Sequence, residues 1–306
     1  MSWPKMSLDN LEPEAADICC ASCGVAEVDD VKLKPCDGCD LVRYCSDACQ
    51  EDHRSGHVGK CKERAAELRD KILFRQPKGS HFGDCPICFL PIPLDHDKYS
   101  LYSCCSKLIC KGCSHSSIVR QRRENMQRTC PFCRNVVPDT QEEVDKNMKK
   151  RVDVSDPIAM RELGKELYFK GNYEGAFTYW KKAAELGDSP AHYELSLSYQ
   201  KGEGVEKDEN KERYHLEEAA IAGHPHARFN LGRYEERNGR NDRAVNHFII
   251  AANLGIDESI KLLKEYYKRG LVSKEDFAAA LRAHYAAVEA TKSPQREAAA
   301  KYYAAL

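Results

Sequence analysis

Residues 19–61 read CCASCGVAEVDDVKLKPCDGCDLVRYCSDACQEDHRSGHVGKC, and the spacing of the cysteines decides how this stretch folds. Cys20-x-x-Cys23 and Cys36-x-x-Cys39 are followed by Cys45-x-x-x-Cys49 and His57-x-x-x-Cys61. A Cys-x-x-Cys pair turns two thiolates back onto one tetrahedral ion at about 2.3 Å each. A second block follows at 85–134, CPICFLPIPLDHDKYSLYSCCSKLICKGCSHSSIVRQRRENMQRTCPFCR. It holds Cys85-x-x-Cys88, Cys104-Cys105, Cys110-x-x-Cys113 and Cys130-x-x-Cys133. The two blocks, together with the unplaced thiol of Cys19, account for all sixteen cysteines. Closed structural zinc sites are chemically inert, so such residues build recognition surfaces rather than reaction chemistry.

Composition narrows the alternatives. With 47 Lys+Arg against 48 Asp+Glu in 306 residues, no global basic field exists to hold nucleic acid by phosphate neutralisation. No apolar run approaches the roughly 20 residues that span a bilayer. Acids and a proline occupy the place where a secretory signal would carry its apolar core, so the chain is expected in the cytoplasm, the nucleus or both. A reducing compartment and the two-residue spacing favour thiolate–metal bonds over disulfides. Two basic runs, Arg120–Arg123 and Lys149–Arg151, read as solvated helix faces. No phosphate-binding glycine loop, nucleophile elbow or carboxylate pair stands out.

In the first block Cys49, His53, His57 and Cys61 recur every four residues, which places them on one helix face. His53 and Cys61 would be about 12 Å apart along that helix, too far to share an ion. His57 is one turn from Cys61, so His57 is the ligand and His53 a packing or surface residue. Paired cysteines, YCSDACQ at 44–50 and a helical His-x-x-x-Cys resemble the MYND finger over residues 20–61. The resemblance implies interleaved binding, with Cys20, Cys23, Cys45 and Cys49 on one zinc and Cys36, Cys39, His57 and Cys61 on the other. Asp37-Gly38 is the turn signal of a short hairpin over 34–44. MYND fingers commonly bind proline-containing peptides through a Gln after the sixth ligand and a Trp four residues on. Gln50 occupies the first position, but Arg54 stands in the second and offers less flat apolar area.

The second block resembles a RING finger over 85–134. That family pairs first with third and second with fourth, implying Cys85, Cys88, Cys110 and Cys113 on one zinc. The other zinc would take Cys130 and Cys133 with Cys104 and Cys105. Neighbouring side chains seldom converge on one ion, so His96 or His115 is the alternative to Cys104. Ubiquitin-ligase RINGs place an apolar residue two after the first ligand, a Pro after the seventh and often an Arg after the last. Here these are Ile87, Pro131 and Arg134, the implied contacts for a ubiquitin-conjugating enzyme. A guanidinium fork suits a bridge between that enzyme and ubiquitin, because it reaches two partners at once. The structural alternative is that Ile87 and Pro131 only pack beside zinc and Arg134 is solvated.

Beyond the cysteines the chain repeats itself. AAELGDSPA from Ala183, AAIAGHPHA from Ala219 and AANLGIDES from Ala251 are offset by 36 and 32 residues. That spacing belongs to stacked helix pairs. In the same register stand Ala159, Ala191, Ala227 and Ser259, and Leu163, Leu195, Leu231 and Leu263. A large residue, Trp180, Leu216 or Phe248, precedes each Ala-Ala pair by three. Gly187, Gly223 and Gly255 are placed to end helices in left-handed conformation. The pattern resembles Sel-like repeats, relatives of tetratricopeptide repeats, whose concave surfaces imply protein partners.

The expected fold is multidomain: two small cross-brace zinc fingers followed by an all-α solenoid of helix-pair repeats. Expected boundaries are a flexible N-terminus (1–18), the MYND-type finger (19–62), a linker helix (63–81) and the RING-type finger (82–136). A linker (137–158), the repeats (159–292) and a last helix (293–306) complete the chain. Four zinc ions follow from this ligand count. The implied function is a RING-type ubiquitin ligase that recruits substrate through repeats and MYND finger; the alternative is a non-catalytic scaffold in transcription or signalling.

Overall fold

The computed structural model describes residues 19–25, 27 and 32–305, so the flexible segment expected over 1–18 lies outside the described residues. The chain divides into two compact units, residues 1–73 and 74–306.

In the first unit β1 (Lys34–Pro35) pairs antiparallel with β2 (Arg43–Tyr44), Lys34 opposite Tyr44 and Pro35 opposite Arg43. Helix α1 (Asp47–Leu73) follows at once, the Ser46 hydroxyl accepting from the Cys49 N–H at 3.2 Å. The separate linker helix expected from residue 63 is instead the continuation of α1. Residues 62–73 (KERAAELRDKIL) are good helix formers, and no stop signal occurs before Pro77.

The second unit opens on β3 (Tyr99–Tyr102) and β4 (Lys107–Cys110), an antiparallel hairpin with Tyr99 opposite Cys110, followed by α2 (Lys111–Arg123). Within the segment expected as a linker, α3 (Gln141–Asp153) forms under a Thr140 cap whose side chain accepts from the Glu143 N–H. Three helix pairs come next: α4 (Pro157–Phe169) with α5 (Tyr173–Glu185), α6 (Ser189–Lys201) with α7 (Glu209–Ile221), and α8 (Pro225–Arg237) with α9 (Asn241–Asn253). Helices α10 (Asp257–Lys268), α11 (Lys274–Ala290) and α12 (Pro294–Ala304) close the array.

The repeat register is a packing register. Ala159, Ala191, Ala227 and Ser259 are fully buried, and Trp180, Leu216 and Phe248 lie in the core. Trp180 lies against Gly164, where a Cβ would come within 2.5 Å of the indole nitrogen, and Phe248 blocks a Cβ on Gly232 in the same way. The smaller Leu216 belongs to the repeat whose corresponding position is Ser196. Partner sizes are thus matched across each helix pair, as close packing requires. Asp156, Asp188 and His224 cap α4, α6 and α8 through side-chain acceptors, each followed within two residues by Pro.

Zinc block and repeats are not separate bodies within this unit. The His81 N–H donates to the Gly223 carbonyl at 3.0 Å, and its ring stacks on His224 with centroids 4.1 Å apart. Tyr193 stacks on the same His224 ring at 4.4 Å. A 180 Å³ cavity between them is lined by Phe82, Tyr99 and Leu108 of the zinc block and by Arg161, Tyr193 and His226 of the repeats. The face formed by α4, α6 and the start of α8 therefore packs against the chain's own zinc block.

Candidate metal centres

Three Cys-x-x-Cys pairs share one backbone knuckle. In each, the first cysteine's N–H donates five residues on and its carbonyl accepts from the residue after the second cysteine. The distances are 2.8 and 2.9 Å at Cys20, 2.9 and 2.9 Å at Cys85, and 2.7 and 2.9 Å at Cys130. The residue after the second cysteine adopts the left-handed region: Gly24 at φ +75°, Phe89 at +56° and Arg134 at +63°. This turn brings both sulfurs to the same side.

In the first unit the Cys20 knuckle, the β1–β2 hairpin and α1 gather Cys20, Cys23, Cys45 and Cys49 in one group and Cys36, Cys39, His57 and Cys61 in the other. Cys45 Sγ lies 3.5 Å from Cys23 and 3.6 Å from Cys49; Cys36 lies 3.7 Å from Cys61, and Cys39 lies 3.2 Å from His57 Nε2. His57 is buried, while His53 stacks on it at 5.6 Å and contacts the Tyr44 hydroxyl through Nδ1 at 3.1 Å, a packing role. Cys19 is an exposed free thiol outside both groups.

In the second unit Cys85, Cys88, Cys110 and Cys113 form one group and Cys104, Cys105, Cys130 and Cys133 the other. The adjacent cysteines do converge: Cys104 lies 3.3 Å from Cys133 and Cys105 lies 3.9 Å from Cys130. A tight turn makes this feasible, with the N–H groups of Cys105 and Ser106 both bonded to the Tyr102 carbonyl and Ser106 at φ +53°. The alternative ligands are otherwise engaged, His96 with the Tyr99 hydroxyl and His115 against the rings of Tyr302 and Tyr303.

The chemistry of the donor sets fits zinc. All four groups hold their ligand atoms within 4.8 Å of one another. Sulfurs sharing a tetrahedral ion at about 2.3 Å stand about 3.8 Å apart, whereas a disulfide needs about 2.05 Å. Packing thiols this closely divides them: hydrogen bonds lower the Cys20 and Cys85 thiols, whereas others in the same groups resist ionisation. Hydrogen bonds to Cys23 and Cys49 push the Cys45 thiol up to about 12, and burial raises that of Cys104. A divalent cation reverses that penalty, since a coordinating thiol is deprotonated outright. The protein thus has four zinc sites, and by ligand type they are closed and structural.

Around these centres, the structure leaves Ile87 and Arg134 exposed and Pro131 half-buried. Sequence reasoning had passed over two further exposed aromatics, Phe89 (76% exposed) and Phe132 (44%), beside the same knuckles. Their signal was present: an apolar residue next to a ligand is held at the surface by the turn itself. Gln50 donates to Asp37 Oδ2 at 3.4 Å and lines a 620 Å³ groove with Asp37, Tyr44, Arg54 and Val58. Arg54 is turned to Glu51 at 2.9 Å.

Comparison with known proteins agrees with this partition. The MYND finger family matches residues 20–61, and the Sel1 repeat family matches 157–188, 189–224 and 225–256. Among curated proteins none matches. Solved structures similar to the chain include a Sel1 repeat protein from Oxalobacter formigenes, 30% identical, covering 50% of this chain and 66% of its own, with a TM-score of 0.42. Another is a protective antigen of uropathogenic Escherichia coli strains displaying an SLR fold, 32% identical over 48% of this chain and 33% of its own, TM-score 0.40. The chain therefore spans less than two thirds of either protein. It carries a MYND finger followed, after a second cysteine block, by Sel1 repeats.

Proposed function

We propose that the protein is a zinc-dependent interaction molecule acting as a RING-type ubiquitin ligase, its second block docking a charged ubiquitin-conjugating enzyme. The observation that carries this reading is Arg134. It follows the last cysteine of the block in a left-handed position at φ +63°, the conformation that Gly24 and Phe89 take in the other two knuckles. Such a conformation costs a residue with a Cβ about 1–2 kcal/mol, a cost that Phe89 shares. Arg134 is exposed, as are Phe132 two residues before it and Ile87 in the Cys85 knuckle, although the block is embedded in a larger body. Its guanidinium has no hydrogen-bond or ion-pair partner among the described residues, so its donors are available for two partners. No side chain needs to act as nucleophile or base, since the rate comes from holding a thioester in a reactive pose.

Substrate recruitment then falls to surfaces that remain open. One is the groove beside Gln50. Another is a 790 Å³ groove walled by α3 and α4, with Val144, Met148, Val152, Leu163 and Tyr179 in its lining.

Zinc-loaded protein is tested for discharge of ubiquitin from a panel of conjugating enzymes. Arg134→Ala should sharply reduce discharge with zinc content and folding intact. Ile87→Ala should weaken docking through lost apolar contact and be rescued by saturating enzyme. Absence of discharge from the fully loaded wild type across the panel would replace this reading with that of a non-catalytic scaffold.

A further inference from the structure

The guanidinium of Arg296, at the start of α12, reaches the zinc ligand Cys88 across 208 residues of sequence. Nη2 donates to Cys88 Sγ at 3.4 Å and to the Leu90 carbonyl at 3.1 Å. Nη1 donates to the Pro91 carbonyl at 2.7 Å and to the Thr291 carbonyl at 2.6 Å. The approach is built in from several directions. The Ser293 hydroxyl accepts from the Arg296 N–H at 3.2 Å, which fixes the first turn of α12. Opposite it, a Cβ on Gly112 of α2 would stand 2.8 Å from Arg296 Cγ and 3.0 Å from its Cα, so only glycine lets the two backbones meet. Further along, Gln295 donates to Ser116 at 2.8 Å, and Lys111 lies over the Tyr303 ring at 5.1 Å.

Within its group Cys88 is the vulnerable ligand. Cys85, Cys110 and Cys113 are buried, whereas Cys88 is half-buried. A metal-bound thiolate keeps residual negative charge on sulfur, and an ionic N–H donor aimed at it strengthens the ligand and shields it.

We infer that Arg296 is a positioning residue for the Cys85–Cys88–Cys110–Cys113 zinc site. Its forked donors hold the Cys88 thiolate and the 88–91 backbone together, so the helical array retains this ion through α12. The role is independent of ligase activity. Removing such an outer partner typically costs 10–100-fold in metal affinity.

The test uses the full chain loaded with zinc, a chromogenic chelator to time release, and iodoacetamide labelling mapped by mass spectrometry. In Arg296→Ala one ion of the four should leave roughly 10–100-fold faster. Cys88 should become the first alkylated ligand of its group, with the helical signal unchanged. Arg296→Lys keeps the charge but loses the fork, and should restore retention only in part. Gln295→Ala breaks a neighbouring contact of the same helix without touching the guanidinium, and should behave as wild type. The inference is overturned if Arg296→Ala releases zinc at the wild-type rate, or speeds release from all four sites alike. It fails equally if lysine rescues fully, or if Gln295→Ala reproduces the alanine effect, since helix packing rather than the fork would then set retention.

Discussion

The MYND finger and the second zinc block each gather eight ligands into two groups, yet they are held together differently. In the finger the buried cluster joins Cys20, Cys36 and Cys39 to Leu33 and Tyr44, and among the described residues only Ala21 and Val42 add partly buried apolar packing around it. The second block adds Ile92 and Ile109, with Phe82, Tyr99, Tyr102, Leu108 and Val137 packed around them. It is also bonded into the repeats through His81 and α12. A module whose core is its ligands depends on the ion for folding, because binding free energy there is folding free energy. A module with an apolar core and neighbours has a second source of stability.

The sharpest way to break this contrast is to remove metal stepwise, because structural zinc is worth about 10–16 kcal/mol to a small finger. Native mass spectrometry should find four ions in the intact chain. Graded chelation should expose the cysteines of residues 20–61 to alkylation before those of 85–133. Simultaneous exposure of both blocks would erase the distinction, and a count of three would point to the cage holding Cys104 and Cys105.

Trp180→Ala probes the support given by the repeats. The side chain is 3% exposed, and its indole N–H donates to the Arg161 carbonyl at 3.2 Å. Its loss should cost about 3–5 kcal/mol, read by denaturant unfolding. If the second block leans on the array, its cysteines should also label faster while those of the MYND finger do not. Unchanged unfolding would mean that the packing register is wrong.

The smallest effect is a pH dependence at the junction. Burial, and then the positive charges of Arg161, His226 and Lys165, lower the pKa of His81 from 6.5 to about 3, and His224 beside it is depressed by burial as well. Unfolded, His81 takes up a proton below about 6.5; folded, it resists until about 3. Stability from this group is therefore complete above 6.5 and declines as pH falls toward 3, by about 1.4 kcal/mol at pH 5.5. His81→Phe keeps a ring against His224 and should remove that share of the decline between pH 7.5 and 5.5, with zinc content monitored at both. An identical slope in mutant and wild type would locate the titration elsewhere.

Much of this molecule was legible because its signals are short-range. Spacing alone selected His57 over His53; in α1 His57 groups with Cys36, Cys39 and Cys61, while His53 contacts the Tyr44 hydroxyl. The caps at Thr140, Asp156, Ser273 and Ser293 are equally short-range: each bond closes within three residues. Reading failed where a module boundary was assumed and where the deciding contact lay far away. The helix starting at Asp47 runs through the expected boundary at residue 63, which local composition permitted but a modular view did not anticipate. The aligned repeats showed the helix register, but not that the chain's own His81 and Tyr99 region lies against α6 and the start of α8.

The sequence by itself therefore determined the ligand types, the helix pairs and the register Ala159–Ala191–Ala227–Ser259. Tetrahedral chelation and helical periodicity act over a few residues and leave their spacing in the chain. Only the tertiary structure decided that adjacent Cys104 and Cys105 can face one ion, because the Tyr102–Ser106 turn rotates them together. It alone joined Arg296 to Cys88. That contact spans 208 positions, and no local spacing can encode which of many arginines the closing helix will bring to a thiolate.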